Sequence, residues 1–443
     1  MALKFGTDGV RGVANTELTP EFSLALGRAA ARVLNFERVV VGRDPRRSGS
    51  LLEAALCAGL ASEGAAVEVL GIVPTPAVAW LAAQLGCGGA MISASHNAFA
   101  DNGIKLFAIG GRKLSDEQET AREAELTKLA APTRVGPEVG TITQGHELDD
   151  YIDAVVVSVS SSLAGLHVVL DAANGATLHT APEVLRRLGV ELEVINAHPD
   201  GFNINERCGA TDPQALQRAV VAAGADLGLA LDGDGDRCLA VDANGEVVDG
   251  DQLIAICALD RQATGRLTHN TVVITVMTNL GFRLAMAERG VEIVETAVGD
   301  RYVLDALDQG GFVLGGEQSG HVIFRDLANT GDGILTGVQI LDAMGRSGRT
   351  LADLAAVMTR YPQRLLNVRV PGRDPVLIER LQDDIVAAQR RLGGQGRVLI
   401  RPSGTEPLVR VMVEAATEAV ADETANTLAA AVERVATSLG TVS

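Results

Sequence analysis

Aromatic side chains make up only 3% of this 443-residue chain, which leaves few surfaces on which nucleobases could stack. Positive charge is scarce too: 56 acidic residues outweigh 38 lysines and arginines, for a formal net charge of −18. Nucleic acid would be repelled, and no basic run is long enough to reverse that. Cysteine is equally thin. Cys57, Cys87, Cys208, Cys238 and Cys257 are an odd number, widely spaced, without a Cys-x-x-Cys pair. Neither a disulfide framework nor a structural zinc site follows, and buried reduced thiols are expected. No apolar run approaches the about 20 residues of a membrane span. Met1-Ala-Leu-Lys-Phe5 leads straight into Gly6-Thr-Asp-Gly9 without a secretory pattern, so a cytoplasmic protein with no membrane partner is expected.

What is present is 47% hydrophobic residues, set out as short apolar runs alternating with helical patterns. That is the signature of parallel α/β units. Arg38-Val-Val-Val-Gly42 precedes a helical stretch at 51–60 and the strand Val67-Glu-Val-Leu70. His167-Val-Val-Leu-Asp171 is followed by a helix at 181–188 and a strand at 191–195. Val272-Val-Ile-Thr-Val276 is followed by a helix at 280–289 and a strand at 291–294. Three similar openings point to a repeated domain. The last stretch differs: strands at 365–370, 397–400 and 408–413, with helices at 374–391 and 418–439, read as a small α+β domain. The expected domains are 1–150, 151–250, 251–362 and 363–443.

Four loops carry the chemistry. Ser93-Ala-Ser95-His96-Asn-Ala98-Phe-Ala-Asp101 follows the apolar run Gly89-Ala-Met-Ile92 and continues to Lys105. The carboxyl end of a strand in an α/β sheet is where ligands bind. A hydroxyl there, beside a histidine and a lysine, suits a nucleophile or the carrier of a transferable group. Alone, the segment reads equally as a turn and a helix cap. The second loop, Asp232-Gly-Asp234-Gly-Asp236-Arg237, also follows an apolar strand. Glycines allow a tight turn that brings three carboxylates to one point, and hard oxygens suit Mg²⁺. An EF-hand is excluded, because its sixth and twelfth positions would be Arg237 and Ala243. Three carboxylates leave the octahedron of Mg²⁺ incomplete, and an oxygen of a phosphorylated Ser95 could be the fourth protein ligand.

Arg401-Pro-Ser403-Gly404-Thr405-Glu-Pro407, with Arg410 nearby, combines what a phosphate dianion needs: guanidinium, hydroxyls and the N–H groups of a glycine-containing turn. Gly315-Gly-Glu317-Gln-Ser319-Gly-His321 puts a carboxylate and a hydroxyl two residues apart, able to grip neighbouring sugar hydroxyls. Gly6-Thr-Asp-Gly-Val-Arg11-Gly12 adds a glycine-bracketed loop whose Arg11 is a candidate anion contact or prop for Ser95.

These segments, in this order and across nearly the whole chain, resemble the α-D-phosphohexomutase superfamily. Gly316-Glu-Gln-Ser-Gly-His321 and Asn203-Ile-Asn-Glu-Arg-Cys-Gly-Ala-Thr211 point to its glucosamine branch rather than its mannose or glucose branches. Ala98 departs from the pattern, standing where the superfamily usually has proline, which would stiffen the loop. The resemblance implies an α/β architecture of four domains around a central cleft: three similar mixed α/β domains plus a smaller α+β C-terminal domain. It implies phosphoserine at Ser95, one Mg²⁺ per subunit held by Asp232, Asp234, Asp236 and a phosphoserine oxygen, and sugar contacts from Glu317, Ser319 and His321. Arg401, Ser403, Gly404, Thr405 and Arg410 would bind the unreacting phosphate. His96, Lys105, Arg237 and Arg11 would assist phosphoryl transfer. The implied reaction interconverts the 6- and 1-phosphates of glucosamine, an amino-sugar phosphate, with glucosamine 1,6-bisphosphate or another hexose 1,6-bisphosphate as activator. A homodimer is also implied.

Competing readings are another hexose phosphate as substrate, or a non-catalytic sugar-phosphate sensor. A sensor would be expected to lose Ser95 or a metal-loop aspartate, and all four are present. Serine hydrolase, P-loop kinase and dinucleotide enzyme each lack their glycine motif, and no motif surrounds the cysteines.

Overall fold

A computed structural model describes residues 5–6, 9–128, 134–146, 148–370, 376–402 and 407–440. It divides into two compact units, one of residues 1–277 with 291–357 and the other of 278–290 with 358–443.

The first unit holds three sheets that share one plan. In the first sheet, Arg38–Arg43 pairs in parallel with Ala66–Ile72 on one side and Gly88–Ile92 on the other, and Gly88–Ile92 pairs antiparallel with Asp101–Ala108. The second repeats this with His167–Asp171 between Glu191–Ile195 and Leu227–Leu231, the latter antiparallel to Cys238–Asp242. The third repeats it with Thr271–Thr275 between Glu292–Thr296 and Leu314–Gly316, the latter antiparallel to Val322–Phe324. The repeated domain suggested by the three openings is therefore present as a repeated topology. Even the turn after the leading strand recurs: side-chain oxygens of Asp44, Asp171 and Thr275 each accept the N–H two residues on.

Side-chain alternation explains the layering of the first sheet. Val39 and Val41 face a core with Leu26 of helix Pro20–Leu34 and Leu52, Leu56 and Leu60 of helix Gly49–Ser62. Val40, one residue out of phase, joins Met91, Val78 and Leu81 on the opposite side, where helix Thr75–Gln84 lies. Both faces are covered, so the strand reads as an uninterrupted apolar run.

The plan also fixes where function can sit. The loop joining the third strand to the antiparallel fourth carries Ser95 in the first sheet, Asp232 to Arg237 in the second, and Glu317 to His321 in the third. Three of the four loops singled out in the sequence thus occupy equivalent positions.

In the second unit, Gln363–Arg369, Leu408–Ala415 and Gly396–Pro402 form an antiparallel sheet in that order. Helices Gln382–Leu392 and Glu418–Gly440 contribute Leu392, Leu428 and Val432 to a core with Val411 and Val413. The helix expected at 374–391 is two in the described residues, Val376–Arg380 and Gln382–Leu392, on either side of the fully buried Leu381. Helix Leu280–Glu288 belongs to this unit because Oε2 of the buried Glu414 accepts the Leu280 N–H and Arg397 Nε, each at 3.0 Å. A carboxylate at a helix N-terminus is favourably placed. All five cysteines are unpaired and buried, as expected.

Candidate active site

Ser95 is 1% exposed and held at φ +50°, the left-handed region that a non-glycine residue rarely adopts. Its hydroxyl donates to Oδ2 of Asp232 at 2.6 Å, and His96 Nδ1 lies 3.3 Å from Ser95 Oγ itself. The serine loop of the first sheet thereby meets the metal loop of the second. Burial, followed by the charges of Arg237 and Arg11, pushes the His96 imidazole down to about 4. At neutral pH this ring is uncharged, and it sits within the field of both arginines.

Asp232, Asp234 and Asp236 are buried, with one oxygen of each within 4.8 Å of the others. Burial first, then the charges of Asp236 and Asp234, raise the Asp232 carboxyl well above the usual range. Asp236 goes the other way: burial opposes its ionisation, but Lys105, with His321 and Arg237, outweighs burial and holds it well below that range. Lys105 Nζ donates to Asp234 Oδ2 at 2.8 Å and to Asp236 Oδ2 at 3.1 Å. Arg237 gives its backbone N–H to Asp232 Oδ1 and sets Nε 3.8 Å from Asp236 Oδ1.

Asp234 Oδ1 and Asp236 Oδ1 are buried without a hydrogen-bond partner. Unsatisfied buried carboxylate oxygens are costly, and a divalent cation would satisfy both. The donor set, all hard oxygens, fits Mg²⁺. The turn needs its glycines: Gly235 has φ +75°, and a Cβ on Gly233 would lie 2.5 Å from the Ser95 carbonyl oxygen.

The third loop abuts the second, with the Cys238 N–H donating to the Gly320 carbonyl at 3.0 Å. Glu317 is half-buried, and its Oε1 accepts the Gly299 N–H at 3.0 Å; Ser319 is exposed. His321 turns inward instead. It is 3% exposed, with Nδ1 3.7 Å from Asp236 Oδ1 and Nε2 3.6 Å from Asp300 Oδ2. The Gly331 N–H donates to Nε2, which keeps a ring proton on Nδ1, facing the metal loop. Ser95, His96, Lys105, the three aspartates, Arg237 and His321 thus converge, with Arg11 near enough to bear on His96.

In the second unit, Arg401 and Arg410 pair across adjacent strands. Burial, then the Arg410 charge, lowers the Arg401 pKa. Two neighbouring guanidinium groups form a natural anion site. Ser403, Gly404 and Thr405 lie outside the described residues.

Several residues at this site escaped the sequence reading. Thr75 gives its hydroxyl to Asp234 Oδ2 at 2.6 Å and its N–H to the Asp234 carbonyl at 2.9 Å. Asp44 and Arg46 form a buried ion pair beside the serine loop. The signal for that pair was available: Asp44-Pro-Arg46 follows the carboxyl end of a central strand.

Models of the phosphoglucomutase/phosphomannomutase family match in sequence: α/β/α domain I at residues 2–132, domain II at 149–245, domain III at 249–361 and the C-terminal domain at 365–431. A phosphoglucosamine mutase of Rhodococcus jostii (strain RHA1) is 52% identical, over 98% of this chain and 100% of that one. One of Thermobifida fusca (strain YX) is also 52% identical, over 97% and 98%. Among solved structures, a phosphoglucomutase/phosphomannomutase family protein of Burkholderia thailandensis matches with TM-score 0.83 and 25% identity, covering 98% of each chain. N-acetylphosphoglucosamine mutase of Aspergillus fumigatus, in complex with GlcNAc-6P and magnesium, shares the fold with TM-score 0.69 and 20% identity, over 98% of this chain and 96% of that one.

Proposed function

Because the chain belongs to the phosphoglucosamine mutases of the phosphoglucomutase/phosphomannomutase family, we propose that it interconverts glucosamine 6-phosphate and glucosamine 1-phosphate, with Ser95 as the phosphoryl carrier. The observation that supports this most is the 2.6 Å contact between the Ser95 hydroxyl and a buried carboxylate cluster in which two oxygens receive no hydrogen bond. A phosphoryl group on Ser95 would meet that cluster at once.

In the forward direction, phosphoserine 95 meets the C1 hydroxyl of glucosamine 6-phosphate. The bond from Ser95 Oγ to phosphorus breaks, a bond from the C1 oxygen to phosphorus forms, and the hydroxyl proton leaves to a base. The resulting 1,6-bisphosphate turns end for end, and its 6-phosphoryl group returns to Ser95. Phosphoryl transfer needs alignment and neutralisation of spreading charge more than covalent help. Lys105 and Arg237 are fixed cations for that purpose, oriented by Asp234 and Asp236. His96 is neutral, so it serves as a hydrogen-bond partner to Ser95 rather than as a charge. Asp232, Asp234 and Asp236 would hold one Mg²⁺, which when bound supplies Lewis-acid charge neutralisation.

Glu317 and Ser319 would grip sugar hydroxyls. His321 would act from beneath, on Asp236. Arg401 and Arg410, with Ser403, Gly404 and Thr405, would bind the phosphate that is not reacting. A hexose 1,6-bisphosphate would activate unphosphorylated enzyme by loading Ser95. The same reading makes the protein a cytoplasmic homodimer, and light scattering on the purified chain checks the dimer.

The test is ³¹P NMR of protein supplied with Mg²⁺ and a primer bisphosphate, incubated with glucosamine 6-phosphate, glucose 6-phosphate or mannose 6-phosphate. The amino sugar should turn over fastest. Faster turnover of another hexose would transfer the assignment to it, and no turnover of any would favour a sensor.

A further inference from the structure

Arg46 has five N–H donors, and four of them go to the serine loop. Nε donates to Asp44 Oδ2 at 2.8 Å. One terminal nitrogen donates to the carbonyls of Ala98 and Asp101, and the other to those of Ser95 and Asn97, both at 2.8 Å. The guanidinium is 1% exposed, so the serine loop is wrapped around it and four loop carbonyls converge on one side chain. A planar fork is what such convergence requires; lysine has three donors and no fixed plane.

A second set of contacts closes the clamp. Ser93 Oγ donates to Asp44 Oδ2 at 2.6 Å and accepts the Ser95 N–H at 2.9 Å. From the second sheet's domain, Asn205 Nδ2 donates to the carbonyls of Ser95 at 2.9 Å and Asn97 at 3.2 Å. Both backbone polar groups of Ser95 are therefore fixed, at a φ the residue would not hold by itself. Arg46 brings no net charge, because Asp44 neutralises it in place. Its contribution is alignment.

We propose that Arg46 and Asn205 form a backbone clamp that sets the phosphoryl-transfer geometry of Ser95, as positioning residues that act without touching the sugar. The proposal rests on Ser95 being the phosphoryl carrier. A reacting atom displaced by about 1 Å costs on the order of 100-fold in rate. The clamp therefore acts on kcat and leaves sugar affinity alone.

The experiment compares wild type, Arg46→Lys and Asn205→Ala. The readouts are quenched-flow transfer from phosphorylated Ser95 to glucosamine 6-phosphate, steady-state KM and kcat, thermal melting, and hydrogen exchange of the peptide spanning 93–102. Arg46→Lys should transfer about 10- to 100-fold more slowly with KM within about twofold of wild type, and Asn205→Ala about 3- to 10-fold more slowly. Exchange at 93–102 should quicken in both while the melt stays cooperative. Folded Arg46→Lys with wild-type transfer and exchange overturns the proposal. If Arg46→Lys does not fold, Asn205→Ala decides, and a wild-type transfer rate there overturns it equally. Absence of transfer by wild type would instead defeat the carrier role, and the exchange comparison would then decide whether the clamp exists.

Discussion

The Ser95 hydroxyl donates a 2.6 Å hydrogen bond to Asp232, a residue 137 positions further along the chain. The two residues occupy equivalent loops of two sheets with the same strand order, so one repeated topology delivers both the carrier and its carboxylate partner. The contact also makes the metal loop sensitive to the chemical state of Ser95. A phosphoryl group there adds charge to a cluster already short of cations.

That shortage predicts an opposite sign for stability and for metal binding. Asp232→Asn relieves repulsion among three buried carboxylates, so in EDTA its thermal midpoint should lie above that of wild type. Its affinity for Mg²⁺ or Mn²⁺ should fall at least about 100-fold, since loss of groups merely orienting a ligand already costs 10- to 100-fold. Calorimetric titration and melting with and without metal check both. A lower midpoint in EDTA would mean that the cluster is not under electrostatic strain.

Gly235→Ala should damage the metal loop by sterics alone. The position has φ +75°, and a Cβ there would lie 2.4 Å from Thr177 Cγ2 and 3.0 Å from Pro74 Cβ. A loss of about 2 kcal/mol or more is expected in urea unfolding, with weakened metal binding. Unchanged stability would mean the turn readily adopts another shape.

Asp332 gives a pH dependence with a definite sign. Burial raises its carboxyl to about 6, despite bonds from the Leu335 N–H and the Tyr151 hydroxyl. Between the unfolded value and about 6, the folded state holds the extra proton, so this group's contribution to stability falls as pH rises through that window. Asp332→Asn removes the effect. Relative to wild type, the variant should gain about 1 kcal/mol between pH 5 and pH 8 in urea unfolding. A constant difference across that range would contradict the raised value.

The loops were legible in the sequence because each sits where an apolar strand stops and polar residues begin. Ser95, Asp232 and Glu317 all follow fully buried strands. Lys105 was legible only by proximity. Its partnership with Asp234 and Asp236 joins residues 129 and 131 positions apart, and no local pattern encodes that. His321 was grouped with Glu317 and Ser319 by adjacency, yet its ring turns inward between Asp236 and Asp300. Spacing along a loop does not fix side-chain direction. Asp44-Pro-Arg46 is legible as a polar segment at a strand end, but the supporting role of Arg46 and Asn205 is not, because they act through backbone carbonyls, which every residue possesses. The interrupted helix at Leu381 illustrates a further gap: helical propensity continues across the break, where the buried Leu381 sits between the two helices.

The most direct measurement is a single turnover with ³²P-labelled phosphoserine 95, chased with unlabelled glucosamine 6-phosphate in the presence of Mg²⁺ and quenched on the millisecond scale. Label should leave the protein and appear first at the 1-position of the 1,6-bisphosphate, then in glucosamine 1-phosphate, while Ser95 takes back the unlabelled 6-phosphoryl group. Ser95→Ala should take up no label and show no turnover. Retention of label on Ser95 while the sugar isomerises, or normal turnover by Ser95→Ala, would contradict its role as carrier.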